Sequence, residues 1–128
     1  MDSRQESHVS ARRILVVDDD PAIRLLLSKL LEPYGYLVET VESGEIALEV
    51  FNVQTFDVIM VDLQLQGITG LEVASVIRSQ NATIPIALIT GMAHILNEYD
   101  LDKAGITKLF TKPFDLDDIV NWLQSVLP

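Results

Sequence analysis

Hydrophobic positions along this chain switch repeatedly between two periods. Arg13 to Val17, Phe56 to Val61 and Ile84 to Thr90 are short apolar runs bounded by turn residues, and they read as buried strands. Tyr36 to Val41, which alternates Leu37/Glu39 with Val38/Thr40, and Ile106 to Thr111 read as two more. Pro85 fits only near the start of its strand. Between the strands, apolar residues recur at helical spacing. Asp20-Pro21 predicts an N-cap followed by proline at the first helical position. Ile23, Leu26, Leu27, Leu30, Leu31 and Tyr34 then share one face, and Pro33 and Gly35 end that helix. Ser43 caps a second helix carrying Ile46, Ala47, Val50 and Phe51. Gln64 to Thr69 is a loop, and Thr69-Gly70-Leu71-Glu72 matches a capping box opening a third helix to about Gln80. His94 to Ala104 predicts a fourth, with a poor stripe of Ile95, Leu96, Tyr99 and Leu101 and with Gly105 as its C-cap. Asp115 caps the fifth, which carries Leu116, Ile119, Val120, Leu123 and Leu127 on one face.

Five strand–helix units with short links imply an α/β domain. Its sheet is expected to be doubly wound and parallel, with right-handed crossovers, five helices and strand order 2-1-3-4-5. The switch point then lies between the first and third strands. Residues 1–11 read as a mobile polar tail and residues 12–128 as one domain.

Composition narrows the class. Nine Lys and Arg against nineteen Asp and Glu give a net charge of −10, which disfavours direct nucleic-acid binding and docking on an anionic membrane. The acidity reads as a solvated surface or as a match for a basic protein partner. Hydrophobic residues at 48% argue against wholesale disorder. Cysteine is absent, so disulfides and thiolate metal sites are excluded. No apolar run approaches the ~20 residues of a membrane span, and Met1 to Arg13 has no apolar signal core.

The strand ends carry the chemistry. In a doubly wound sheet, ligands bind at the carboxyl ends of the strands. Here those ends bear Asp18 and Asp19, Asp62, Thr90 and Lys112. Two bare carboxylates ~4 Å apart repel by about 4 kcal/mol at an effective dielectric near 20. Such a cluster raises a pKa or binds a cation. An all-oxygen donor set selects a hard ion, Mg²⁺, Mn²⁺ or Ca²⁺, and few protein ligands plus water favour Mg²⁺. A bland alternative is that the Asp run only caps the first helix, although Asp20 can do that alone. Asp18 can serve as a ligand directly or through water. Asp62 ends the most apolar strand and is a candidate nucleophile toward phosphorus. Thr90 offers a hydroxyl and Lys112 an ammonium to the transferring oxygens. Taken singly, Thr90 also reads as a strand-end threonine bonded to backbone, and Lys112 as a surface lysine.

The runs ILVVDDD, FDVIMVD, ALITG and FTKPF, in this order and spacing, resemble the receiver domain of two-component response regulators, of the chemotaxis-regulator type. The resemblance spans about Arg12 to Leu127 and implies a flavodoxin-like fold. It implies a signalling receiver rather than an enzyme, cytoplasmic, able to phosphorylate itself from a phosphodonor and to lose the group slowly. The donor would be a sensor histidine kinase or a histidine phosphotransfer protein. Phosphorylation would then change a surface read by a downstream protein target. A homodimer through the last two helices and fifth strand is one form such switching can take. By motif, Asp62 would be the phosphoacceptor. Asp19, Asp62 and the backbone carbonyl of Gln64 would bind Mg²⁺, or Mn²⁺, with Asp18 acting through water. Thr90 would be the switch hydroxyl, and Lys112, before what is usually a cis Pro113, would pair with phosphoryl or acceptor oxygens.

This chain departs from the family pattern in two places. The loop Leu65-Gln66-Gly67-Ile68-Thr69-Gly70 lacks the usual Pro and Asp and is expected to be more mobile. Leu109 stands where the family often has the aromatic residue coupled to the threonine, and Phe110 falls on the opposite strand face. Gln64 and the apolar Met92 occupy positions that tune dephosphorylation in the family, and Met92 is expected to shield the phosphoryl group. Gly91 is expected to leave that group room. Two other readings compete. An aspartyl-phosphate-type phosphatase would carry a second Asp where Gln64 stands, and a phosphate-independent interaction module would have no use for the five polar strand-end residues. His8 and His94 read as surface residues, and Trp122 as a half-exposed side chain off the main helical stripe. No output domain follows the fifth helix in this sequence, which fits a free-standing receiver or a piece of a longer protein.

Overall fold

Each apolar run pairs with its neighbours as one parallel sheet. The computed structural model describes residues 11–127, so His8 and most of the expected tail lie outside the described residues. The strands are β1 (Arg13–Val17), β2 (Leu37–Val41), β3 (Val58–Asp62), β4 (Ile86–Thr90) and β5 (Lys108–Thr111). Their order is β2-β1-β3-β4-β5, as the alternation implies. Register places Val17 beside Val61, Asp62 beside Ile89, and Thr90 beside Thr111.

The helices are α1 (Pro21–Leu31), α2 (Gly44–Val53), α3 (Gly70–Gln80), α4 (Glu98–Ala104) and α5 (Leu116–Val126). Side chains alternate along each strand, so the sheet feeds two cores. Leu15, Val17, Ile59, Val61, Ile86 and Leu88 pack against Ala47 of α2, Val73, Ala74 and Ile77 of α3, and Ala104 of α4. Ile14, Val16, Val58, Met60, Ala87, Ile89 and Phe110 pack against Leu27 and Leu31 of α1 and Ile119, Val120 and Leu123 of α5. β3 and β4 are buried throughout, as expected of strands covered on both faces.

Asp20, Ser43, Thr69 and Asp115 cap their helices through their side chains, and Thr69 with Glu72 forms the full capping box. The fourth helix differs from the sequence pattern. Ala93–Ile95 is only a 3₁₀ turn, Leu96 is extended, and Asn97 restarts the chain as an N-cap accepting from Asp100 N–H. With so little apolar stripe to bury, the local bond from Asn97 decides where the helix begins. Gly105 closes it at φ 75°.

Three backbone bonds carry the sheet ladder past the strand ends and fix the residues there. Asp18 N–H donates to Val41 O at 3.1 Å, Leu63 N–H to Ile89 O at 2.9 Å, and Lys112 N–H to Thr90 O at 2.8 Å.

Candidate functional site

The switch point between β1 and β3 brings Asp18 and Asp62 together, and β5 delivers Lys112 between them. Lys112 Nζ lies 3.3 Å from Asp18 Oδ2 and 3.3 Å from Asp62 Oδ2. Both carboxylates are buried, and so is Thr90. Each remaining carboxylate oxygen takes a backbone donor: Asp20 N–H to Asp18 Oδ1 at 2.9 Å, and Gln64 N–H to Asp62 Oδ1 at 3.3 Å. Thr90 Oγ1 accepts from Met92 N–H at 2.8 Å. The threonine hydroxyl is thus held by its own turn, at the end of the strand next to β3. The Lys112-Pro113 peptide is cis.

One ammonium cannot balance two buried carboxylates. Burial first, and the Asp18 charge second, push Asp62 above the usual carboxylate range, against the pull of Lys112 and the Gln64 N–H. Burial alone would lower the Lys112 ammonium, but Asp18 and Asp62 outweigh it and raise it above its ordinary value. The site is therefore one positive charge short, and a divalent cation would supply it.

The donor set fits such an ion. Asp18, Asp19 and Asp62 each present a carboxylate oxygen within 4.8 Å of the others. With oxygen donors alone, the cluster suits Mg²⁺ or Mn²⁺. Both oxygens of Asp18 are already engaged, by Lys112 and Asp20 N–H. Asp19 is exposed and open to an incoming ion.

Several contacts around the site were not legible in the sequence pattern. Arg24 in α1 donates to the Asp18 carbonyl at 2.6 Å, bracing the turn that carries the acidic pair; on an amphipathic helix an Arg reads as solvated. Gly70 lies so close to β3 that a Cβ there would run into the Asp62 carbonyl oxygen. The loop between Asp62 and α3 touches α2. Glu45 in α2 accepts from Ile68 N–H at 3.3 Å, and Gly67, at φ 84°, lies against the same carboxylate. Gln64 Nε2 meets Met92 Sδ at 2.8 Å. At Gly91 an added Cβ would find nothing nearer than Lys112 Cβ at 3.9 Å, an ordinary van der Waals contact.

On β5, Leu109 packs with the core under α2 to α4, whereas Phe110 turns to the α1–α5 side. There Phe110 meets Trp122 edge-on, with centroids 5.8 Å apart. Trp122 is thereby half-buried packing rather than a free surface. His94 is exposed, as expected.

A family model described as the response regulator receiver domain matches residues 14–124. The transcriptional regulatory protein TcrA of Mycobacterium tuberculosis is 32% identical over 118 residues, covering 92% of this chain and 47% of TcrA. The chain thus spans about half the length of that relative. The chemotaxis response regulator CheY4 of Vibrio cholerae superposes with a TM-score of 0.83 at 32% identity, covering 92% of this chain and all of CheY4. The response regulator TrrA of Thermotoga maritima, solved in complex with Mg²⁺-BeF, gives a TM-score of 0.83 at 35% identity, covering 91% of this chain and 99% of its own. Among the described residues, no helix is long and apolar enough to cross a membrane.

Proposed function

This chain belongs to the response regulator receiver family, and from that premise we propose that it takes a phosphoryl group from a partner's phosphohistidine onto Asp62. The observation that carries the reading is the Lys112 ammonium, 3.3 Å from an oxygen of each buried carboxylate. One Asp62 oxygen attacks phosphorus, the bond from phosphorus to the donor imidazole nitrogen breaks, and an aspartyl phosphate forms. The leaving imidazole takes up a proton. Lys112 stays with the developing negative charge, and the Thr90 hydroxyl, once released by the Met92 N–H, donates to a phosphoryl oxygen.

Asp19, Asp62 and the Gln64 carbonyl would hold Mg²⁺ directly, and Asp18 through water. Bound there, Mg²⁺ would neutralise charge on the transferring oxygens. Residues 12–128 act as one switching unit, in the cytoplasm, and the altered surface is read by a downstream protein. The test is intact mass after incubation with a small acyl phosphate and Mg²⁺. Wild type is expected to gain one phosphoryl group, lost in Asp62→Ala and without the metal. A wild type that stays unmodified with both a small donor and a phosphohistidine donor overturns the reading.

A further inference from the structure

The loop from Leu63 to Thr69 carries the Gln64 carbonyl, and Gly70 N–H closes its base on Leu63 O at 2.9 Å. Leu65 and Ile68 pack against the core under α2 to α4. Between them, Gln66 and Gly67 are exposed. Gln66 borders a cavity of about 410 Å³ with Asp19, Pro21, Arg24, Glu42 and Ser43, so no close packing supports it there. The backbone beside Gln66 meets one side chain of the neighbouring helix. Glu45 Oε2, on the first turn of α2, accepts from Ile68 N–H at 3.3 Å, and the same carboxylate lies against Gly67. Gly67, at φ 84°, has the conformation and the missing Cβ that this approach requires. Gly44, the residue before Glu45, lets the helix come equally close, since a Cβ there would run into the Ile68 side chain.

We propose that Glu45 is a positioning residue for the metal site: from α2 it holds this loop in the form in which the Gln64 carbonyl reaches a cation. A proline within a loop restrains it by fixing φ. Position 66 here is glutamine, and the restraint comes instead from a neighbouring helix. A carboxylate at Glu45 has two separable properties. One is an acceptor for Ile68 N–H. The other is a negative charge, which would attract a cation at the cluster whatever the loop does. The first is the one at work: among the described residues, the carboxylates that converge are Asp18, Asp19 and Asp62, without Glu45. A loop that spends only a fraction of its time in the binding form weakens the apparent affinity by that fraction. This inference rests on the acidic cluster as an Mg²⁺ site.

Two variants separate acceptor from charge. Mg²⁺ affinity is measured by isothermal titration calorimetry on wild type, Glu45→Ala and Glu45→Gln. Solvent exchange of the Ile68 amide is followed by NMR on the same proteins without metal. Glu45 is exposed, so neither substitution touches the core. Glutamine keeps a carbonyl acceptor and loses the charge. Glu45→Ala is expected to bind Mg²⁺ about three- to tenfold more weakly, the worth of one hydrogen bond, with Ile68 exchange faster by a similar factor. Glu45→Gln is expected to stay within about twofold of wild type in both measurements. Equal weakening in the two variants would leave only the charge, and an alanine variant that matches wild type would leave no role at all. Either outcome overturns the loop restraint while leaving the acidic cluster as the metal site. A wild type that binds no Mg²⁺ overturns both.

Discussion

The Lys112 ammonium faces two carboxylate oxygens at 3.3 Å each, so one negative charge of the pair is left over. That surplus is held in Asp62, whose raised pKa is a statement about folding. A carboxyl raised in the folded state contributes stability that is fully present below its ordinary pKa of 3.8 and is lost as pH rises through the folded value. Asp62→Asn removes that loss. Thermal melts without divalent metal are therefore expected to show little difference at the acid end. At pH 7 the variant should be more stable and melt at a higher temperature than wild type. A variant equally stable at both ends would mean that Lys112 compensates both carboxylates. Asp18, Asp19, Asp62, Thr90 and Lys112 could be read from the sequence because each ends an apolar run, and strand ends converge. Arg24, Glu45 and the Gln64–Met92 contact could not. Each acts across the fold on a backbone atom or a neighbouring loop, and nothing in its local pattern separates it from a solvated polar residue.

Helix starts were legible where a side chain closes a local bond. The capping box at Thr69 and Glu72 also fixes α3 against the strand that ends at Asp62, because Gly70 N–H donates to Leu63 O at 2.9 Å. Thr69→Ala is expected to cost about 1 kcal/mol in urea unfolding, the worth of a cap. Gly70→Ala should cost more, about 1–3 kcal/mol, since the added methyl would meet the Asp62 carbonyl and must push α3 away. If Gly70→Ala were as stable as wild type, the close approach of α3 to β3 would be wrong. The fourth helix was the element the sequence served worst. Its apolar residues make only a poor stripe, so the start expected at His94 falls too early, and the bond from Asp100 N–H to Asn97 Oδ1 sets it instead. On β5, period two alone predicts that Leu109 and Phe110 face opposite cores, and they do.

The sheet order follows from the regular alternation of strands and helices, because right-handed crossovers leave few topologies open. The same order gathers Asp18, Asp19 and Asp62 into one acidic cluster within a chain of net charge −10. A cation that binds the folded cluster and not the unfolded chain stabilises by mass action, about 1.4 kcal/mol at ten times its dissociation constant. Millimolar Mg²⁺ is therefore expected to raise the melting temperature of wild type. Asp19→Asn should abolish most of that gain, whereas Na⁺ at matched ionic strength should not reproduce it. Equal melting in Mg²⁺ and Na⁺ would remove the metal from the reading.

The most direct measurement locates the transferred group. Protein phosphorylated by a histidine phosphotransfer donor would be reduced with borohydride, which converts an aspartyl phosphate to homoserine, and the digest read by mass spectrometry. Homoserine at position 62 and nowhere else is the expected result. Reduction at another carboxylate, or a phosphate surviving on a hydroxyl such as Thr90, would contradict Asp62 as the acceptor.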